Sequence, residues 1–424
     1  MSTPSLLNIP YLYKAGTLYS QIPESGAGDF TVSRTTTVAN SSTRINKDGF
    51  IETVLDNVPR LDYPLGGAVN GCPALLVEPT ATNGIRNNSM VGAVTGSPGT
   101  LPTGGGWSTI LRGLTQTIVG AGTENGIAYI DIRFSGTATS TNIVEIRYES
   151  NTQIVASSGQ VWTNSIYLKK IADPNPPNDY QLSIYERDSG GGFLAFGFLT
   201  IVPTTTIQRF TQTRTLSGAT TARVQPFLFF NVTNGSTYDF TVRVGYPQME
   251  LGSVATSVIP TTTAAVTRSA EIISDTTATA LIGQTEGTIY AEVDVSNWVN
   301  LGRIFSISDG TSNNRIMTLF NTSNRIRVII DVSGSAAQAD ISSASLSNGI
   351  HKIAVGYAAN DVVFYVDGVL VGSDNTANIP ACSQVFLGKI ETSASTNFLN
   401  DRIRAAAIYP NRLTNAQLAT LTAL

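Results

Sequence analysis

From about residue 126 onward, apolar and polar residues alternate with a period of two through most of the chain. Such alternation sends successive side chains to opposite faces of a sheet and fits no 3.6-residue helical stripe. In "GIAYIDIRFSG" it sets Ala128, Ile130, Ile132 and Phe134 on one face, and Ile127, Tyr129, Asp131 and Arg133 on the other. "SIYLKKI" and "YQLSIYERD" continue the pattern, and "SGGG" (189–192) marks a turn before a further apolar strand. Glu145, Glu149, Glu186 and Asp188 stand between apolar residues and read as solvent-facing positions. "RVQPFLFFNV" carries Pro226 inside a strand-like run, which predicts a sheet edge or a bulge because proline cannot donate to a ladder. Residues 91–260 therefore read as one β-sandwich.

A second series of short strands follows, in "GTIYAEVDVS", "RIFSISDG", "NRIRVIIDVSG", "IHKIAVGYAANDVVFYVDGVLVG" and "QVFLGKI". Asp367-Gly368 in "FYVDGVLV" predicts a two-residue type I′ turn, which needs positive φ at both central positions. The implied register pairs Val366 with Val369, Tyr365 with Leu370 and Phe364 with Val371. "LTNAQLATLTAL" predicts a terminal helix with Thr414 as N-cap and Leu418 and Leu421 on one face. The first ninety residues mix turn residues with short apolar runs and read as extended chain that packs on something else. The expected fold is all-β: an extended N-terminal segment, two β-sandwich (jelly-roll) domains and a short C-terminal helix. The expected boundaries are 1–90, 91–260, an ordered connector at 261–272, and 273–424.

Composition narrows the function. Charged residues are 13% of the chain, about half the usual share, and Thr, Ser, Asn and Gly take their place. The net charge is −4, and 26 Lys and Arg spread thinly leave no basic stripe for nucleic acid. "MSTPSLLNIPYLYK" has no basic n-region followed by a long apolar stretch, and "FLAFGFLTIV" (193–202) is too short to span a bilayer. A soluble product made without Sec export is expected. Cys72 and Cys382 lie far apart and form no disulfide framework.

Three segments together resemble multidomain structural proteins of tailed bacteriophages, the tail fibre and minor structural proteins. The first runs from Arg34–Thr36 through Asn46–Glu52 and Pro59–Tyr63 to Leu75–Asn83, matching "R-x-[ST]", "NxxGxIE", "PRxDY" and "LLxEPxxTN". Ala81 replaces the arginine usual before "TN", so a salt bridge of that arginine is absent or moved. The second, "PQMELGSVATSVIPTTTAAVTRSAE", resembles the segment that closes a jelly-roll module similar to carbohydrate-binding modules. The third joins "NGIHKIAVGYAANDVVFYVDGVLVG" to "IYPNRLTNAQLATLTA" and resembles concanavalin A-like (laminin G-like) sandwiches, with Ile350 in place of a core tryptophan. In the second segment Pro260 keeps Ile259 out of the helical region, and Arg268 is the only charge between Glu250 and Glu271. Arg268 is therefore expected to be tied to a carboxylate or to carbonyls.

Catalytic chemistry finds little support. His351 is the only histidine, which argues against Ser-His-Asp and Cys-His triads and multi-His metal sites. It falls in register with Ile353, Val355 and Tyr357 and reads as a satisfied core residue. Cys72 in "GCPALL" reads as a small packed residue. "AEVDVSN" places Glu292 and Asp294 where concanavalin A-like glycosidases begin an E-x-D-x-E or E-x-D-x-x-E strand. Retaining hydrolysis needs two carboxylates about 5–5.5 Å apart, and Ser296 and Asn297 occupy the third place. "SDGTSNN" (308–314) and "YVDGV" read as turns rather than Ca²⁺ sites, which want six to eight oxygens.

Sugar binding would use exposed aromatic rings flanked by amides. Trp162 reads as core, whereas Trp107 and Trp298 are the candidate carbohydrate-binding residues. The resemblance implies a non-enzymatic virion protein, a tail fibre, spike or surface fibre, needing no cofactor or metal. Its partners would be other virion proteins through the N-terminal segment, host-surface glycans, and its own copies in a homo-oligomer, a trimer by analogy with fibres. No nucleic acid or membrane insertion is expected. It would assemble in the bacterial cytoplasm and be exposed on the particle. A head fibre or capsid decoration protein, and a polysaccharide depolymerase, are the alternatives.

Overall fold

The structure, a computed structural model, describes residues 2–35, 41–66, 71–334, 337–391 and 397–424. Thr36, the last residue of the first motif element, lies outside them. Among the described residues the chain is almost wholly β, with one α-helix, Asn415–Thr422. No described helix is long and apolar enough to cross a membrane.

The period-two segments between residues 108 and 251 form a sandwich of two antiparallel sheets. One has the order Thr115–Glu124, Ile127–Thr137, Thr237–Leu251, Val161–Asn175, Gln208–Thr215. The other runs Ser108–Ile110, Asn142–Arg147, Arg223–Val232, Tyr180–Arg187, Phe193–Ile201, with Ile154–Val155 also paired to Arg223–Val232. The inward residues of the alternation meet between the sheets: Phe134 stacks on Phe240 at 5.4 Å, and Phe230 meets Phe240 edge-on at 5.0 Å.

Pro226 sits in an interior strand of the second sheet, not at an edge, and its pairing with Ile184 shows no bulge. Its strand changes partner there. Ile154–Val155 pairs with residues 223 and 224, Asn142–Arg147 pairs with 227 to 232, and the missing N–H falls in the gap. The carboxylates expected in solvent are also corrected. Glu145, Glu149 and Glu186 are buried, and only Asp188 is partly exposed, capping its turn through Gly190 and Gly192 amides. Each buried one has an arginine: Arg147 for Glu145, Arg86 for Glu149 and Arg214 for Glu186. Glu145 takes the outer face, where Arg147 covers it, whereas Glu186 pairs with Val224 and shares the inward parity of Leu182 and Ile184.

The C-terminal sandwich contains strands from both ends of the chain. Its eight-stranded sheet runs Val369–Asp374, Asp361–Val366, Gly349–Ala358, Glu286–Val295, Asp401–Tyr409, Ala74–Val77, Leu61–Asp62, with Leu6–Asn8 also on Asp401–Tyr409. The facing nine-stranded sheet begins Tyr13–Lys14, Thr17–Leu18, Phe30–Ser33 and ends Arg325–Asp331, Ala339–Ser342. The described strands of the first ninety residues thus do pack on something else: most join the distant half of their own chain, while Ile51 and Ile85 pack on the middle sandwich. Leu6, Leu18, Phe30, Leu61 and Val77 share one core with Ile289, Phe305, Phe364 and Ile408. Ala81–Asn83 pairs antiparallel with Val266–Arg268, so the middle sandwich is an insertion that leaves and re-enters the outer one at adjacent strands.

Asp367 and Gly368 adopt φ of 51° and 81°, as the type I′ turn requires. Val366–Val369 and Tyr365–Leu370 pair as expected, but a bulge follows and Phe364 faces Gly372 rather than Val371. The helix begins with a reciprocal cap: Thr414 Oγ1 accepts from the Gln417 amide, and Gln417 Oε1 from the Thr414 amide. Leu418 is fully buried against Tyr290, Ala354 and Tyr365.

Candidate functional site

Neither nominated tryptophan is a free platform. Trp107 is a core residue, 9% exposed, with Nε1 donating to the Asn87 carbonyl at 2.8 Å and its ring edge-on to Tyr148 at 5.2 Å. Trp298 is half-buried, 4.9 Å from Phe320 and 6.0 Å from His351, and its Nε1 donates to Asn348. Ile350, where a core tryptophan is usual, is 40% exposed, and Trp298 covers the neighbouring core instead. Trp162 is buried as read. His351 is satisfied: its ring nitrogens lie 2.6 Å from Asp367 Oδ2 and 2.8 Å from the Ser347 carbonyl.

Glu292 Oε1 accepts from Arg404 Nε at 2.7 Å. Ser296 and Asn297 turn their amides to Asp401. Asp309 spends its carboxylate on Thr311 and Asn314 within its own turn. Cys72 is exposed rather than packed; it precedes Pro73 on the approach to Ala74–Val77, and burial begins at Pro73, one residue later. Cys382 is buried, and burial pushes its thiol up to about 12.

The motif residues of the first two segments converge at the neck of the insertion. Glu271 accepts from Arg34 Nη1 at 3.0 Å and Arg60 Nη2 at 2.6 Å, all three side chains being fully buried. Glu78 Oε2 lies 2.7 Å from Arg60 and 2.9 Å from Arg268, and Arg268 also donates to the Pro79 carbonyl. Arg268 is therefore tied to both kinds of partner expected of it. Burial opposes the charge on Glu78, yet Arg268, Arg60 and Ser257 outweigh it and hold the carboxyl well below its usual range. Among the described residues Glu250 has no arginine at contact distance; it accepts from Thr256 and Gln248, and burial pushes it up. Beside the junction, Ala81 packs with Ile259 and Val266, an apolar contact where an arginine is usual. The ion pairs of this junction are buried, and their role is structural.

A cluster of exposed aromatic rings lies elsewhere, on the outer face of the six-stranded sheet. Leu182, Ile184, Leu228 and Phe230 point into the core, so their neighbours in sequence point out. Residues directly opposite on paired strands share a face: Tyr185 pairs with Phe196 and Gln225, and Ser183 with Phe198 and Phe227. Phe193, Phe196 and Phe198 are 54%, 44% and 51% exposed on the edge strand. Phe196 and Phe198 stack at 5.9 Å, Tyr185 lies 5.3 Å from Phe196, and Phe227 sits beneath Tyr185 at 4.3 Å. The rim is polar and fixed. The Arg187 guanidinium lies 5.2 Å over Tyr185 and is held by Gln225, and Arg147 lies over Phe227 with its Nε on Glu145. A flat ring surface with anchored cations and amides can stack apolar sugar faces and bond their hydroxyls.

None of the three tryptophans lies on this surface, so the candidate residues did not include it. The signal was in "FLAFGFLTIV", where apolar residues occupy both parities of one strand. A strand with both faces apolar is either wholly buried or an edge presenting one of them.

Residues 267–419 match the model of the concanavalin A-like lectin/glucanases superfamily. Among solved structures the chain is similar to the Ruminococcus gnavus IT-sialidase CBM40 bound to α2,3 sialyllactose, with 13% identity and a TM-score of 0.31 over 35% of this chain and 87% of that one. It is also similar to domain 4 of AbnA, a GH43 extracellular arabinanase from Geobacillus stearothermophilus in complex with arabinotriose. There the identity is 16% and the TM-score 0.29, over 36% of this chain and 73% of that one. A SAP-like pentraxin from Limulus polyphemus shares 17% identity at a TM-score of 0.26, over 32% and 69%. No curated protein matches the chain.

Proposed function

We propose that the chain is a non-enzymatic structural protein of a tailed-phage virion, a tail fibre, spike or surface fibre that holds host-surface glycans with its β-sandwiches. The aromatic face around Tyr185, Phe196 and Phe198 carries the glycan part, because it joins exposed stacked rings to immobilised donors. The superfamily match of the C-terminal sandwich, which takes in lectins, is consistent with it. The virion part rests on the motifs of the first two segments. Their residues build the buried junction, which suits a displayed protein whose two sandwiches keep a fixed relation. Contact with other virion proteins is assigned to the N-terminal ninety residues, where Tyr11, Leu12, Phe50 and Leu55 are exposed. Many copies, in a trimer, would raise a weak single-site affinity by linking the sites.

The absence of hydrolysis is part of the proposal, since Glu292 is engaged by Arg404 and the third position of its strand pattern is not acidic. The test is retention on immobilised host-surface polysaccharide. The native chain is expected to be retained and to release no oligosaccharide, and Phe196→Ala with Phe198→Ala to abolish retention at unchanged folding. Equal retention of the double variant would refute the site, and released oligosaccharide would refute the non-enzymatic reading.

A further inference from the structure

A cleft of about 370 Å³ lies where the two sandwiches meet, bordered by Tyr167, Arg209 and Thr211 on one side and Asn297, Asn400 and Arg402 on the other. Its volume falls within the range of small-molecule sites, about 300–1,000 Å³, and domain interfaces are preferred places for them. The charges around it are unequally engaged. Asp62 accepts from the Ile45 amide at 2.6 Å and from Arg402 Nε at 2.7 Å. Asp401 accepts from the Ser296 and Asn297 amides and from the Ser296 hydroxyl. Glu78 is taken by Arg60, Arg268 and Ser257. The carboxylates bordering the cleft thus spend their lone pairs on the protein.

Arg209 is not so engaged. It forms no ion pair among the described residues, donating once to the Thr256 carbonyl at 2.6 Å and once to Ser165 Oγ at 2.9 Å. Glu250, which feels its charge, keeps its oxygens on Thr256 and Gln248. A guanidinium has five N–H donors, so Arg209 retains three, one of them the buried Nε. Its plane is steadied by Tyr167, whose ring centroid is 5.5 Å away. Asn400 is 4% exposed, and its Oδ1 has no donor among the described residues. A fork-shaped cation facing a polar cleft matches a carboxylate, and the surrounding hydroxyls and amides match a polyol.

We propose that this cleft is a second ligand site, taking a carboxylate-bearing sugar with Arg209 as the residue that reads the charge. It relies on the glycan reading only for the class of ligand, and it does not involve the aromatic face. The experiment is a titration of the full chain with D-glucuronate, D-glucose and acetate, followed by calorimetry. Glucuronate is expected to bind at least about tenfold more tightly than either control, and Arg209→Met to weaken it by about tenfold or more. Arg209→Lys, which keeps the charge and loses the fork, should fall between and covers the case in which the methionine variant does not fold. Phe196→Ala with Phe198→Ala should leave glucuronate binding unchanged, which separates failure here from failure of the aromatic face. Equal binding of glucose would overturn the anionic assignment, and equal binding of acetate the sugar assignment. Native affinity in both Arg209 variants, or no binding of glucuronate at all, would overturn the site.

Discussion

Replacing Glu271 by Gln removes one charge from the junction and little volume. In the native chain the two carboxylate oxygens serve Arg34 at 3.0 Å, Arg60 at 2.6 Å and the Glu78 amide at 2.9 Å, with no solvent to substitute. The amide has one acceptor oxygen, and its NH₂ must face donors. Three arginines then remain with Glu78 and Glu250, and Glu250 itself resists ionisation because it is buried. Breaking a buried pair by removing one partner costs about 3–5 kcal/mol, against a total domain stability of about 5–15 kcal/mol. Glu52→Gln is the control, since Glu52 is in the same motif segment and pairs with Arg44, but its side chain is 37% exposed. An exposed pair is worth about 0–1 kcal/mol. Urea unfolding by tryptophan fluorescence compares them, because Trp107 and Trp162 report on the insertion and Trp298 on the outer sandwich. A loss for Glu271→Gln no larger than for Glu52→Gln would refute the claim that the junction locks the neck.

Stability should pass through a maximum in mildly acidic solution. Burial raises Asp401 to about 6, so its folded form binds a proton more tightly than the unfolded chain and stability grows as pH falls from neutrality through 6. Asp401→Asn should flatten that limb. Glu186 behaves oppositely: burial would raise it, but the Gly218 and Ser217 amides, Thr221 and Arg214 hold it at about 2, so its contribution is lost as pH falls from the ordinary carboxylate range towards 2. Melting temperature against pH checks both limbs, and a profile flat from pH 7 to 5 would contradict the first. Cysteine accessibility gives a further check. The native chain should react with one equivalent of a thiol reagent, at Cys72, and a second only on unfolding, because Cys382 is buried and its thiol is pushed up to about 12.

The all-β fold was legible because period two survives any tertiary context. The Asp367-Gly368 turn and the Thr414 cap were legible because each is settled within four residues. The bulge beyond Tyr365 was not, since a bulge depends on what the partner strand must accommodate. The partners of Leu6 and Leu75, Ile408 and Ile403, were hidden for a related reason: they lie hundreds of positions away, and no local pattern encodes them. Arg268 could be assigned a partner from its isolation in sequence, but that Arg34, Arg60, Glu78 and Glu271 meet beside it could not. The aromatic face was missed because tryptophan was weighed above phenylalanine. Ring type did not decide it; position did, as Phe196 and Phe198 lie on an edge strand and Trp107 in a core.

The insertion also dictates an order of events during synthesis. Every strand of the middle sandwich lies between Ser108 and Leu251, so it can close once that stretch has emerged from the ribosome. The outer sandwich cannot, because Leu6 must wait for Ile408 and Leu75 for Ile403. Pairings of such long range are slow to form, and unpaired strands left in waiting are prone to aggregate. The early-folding insert holds residues 81–83 and 266–268 close together while the rest is made, turning one very long chain closure into two shorter ones.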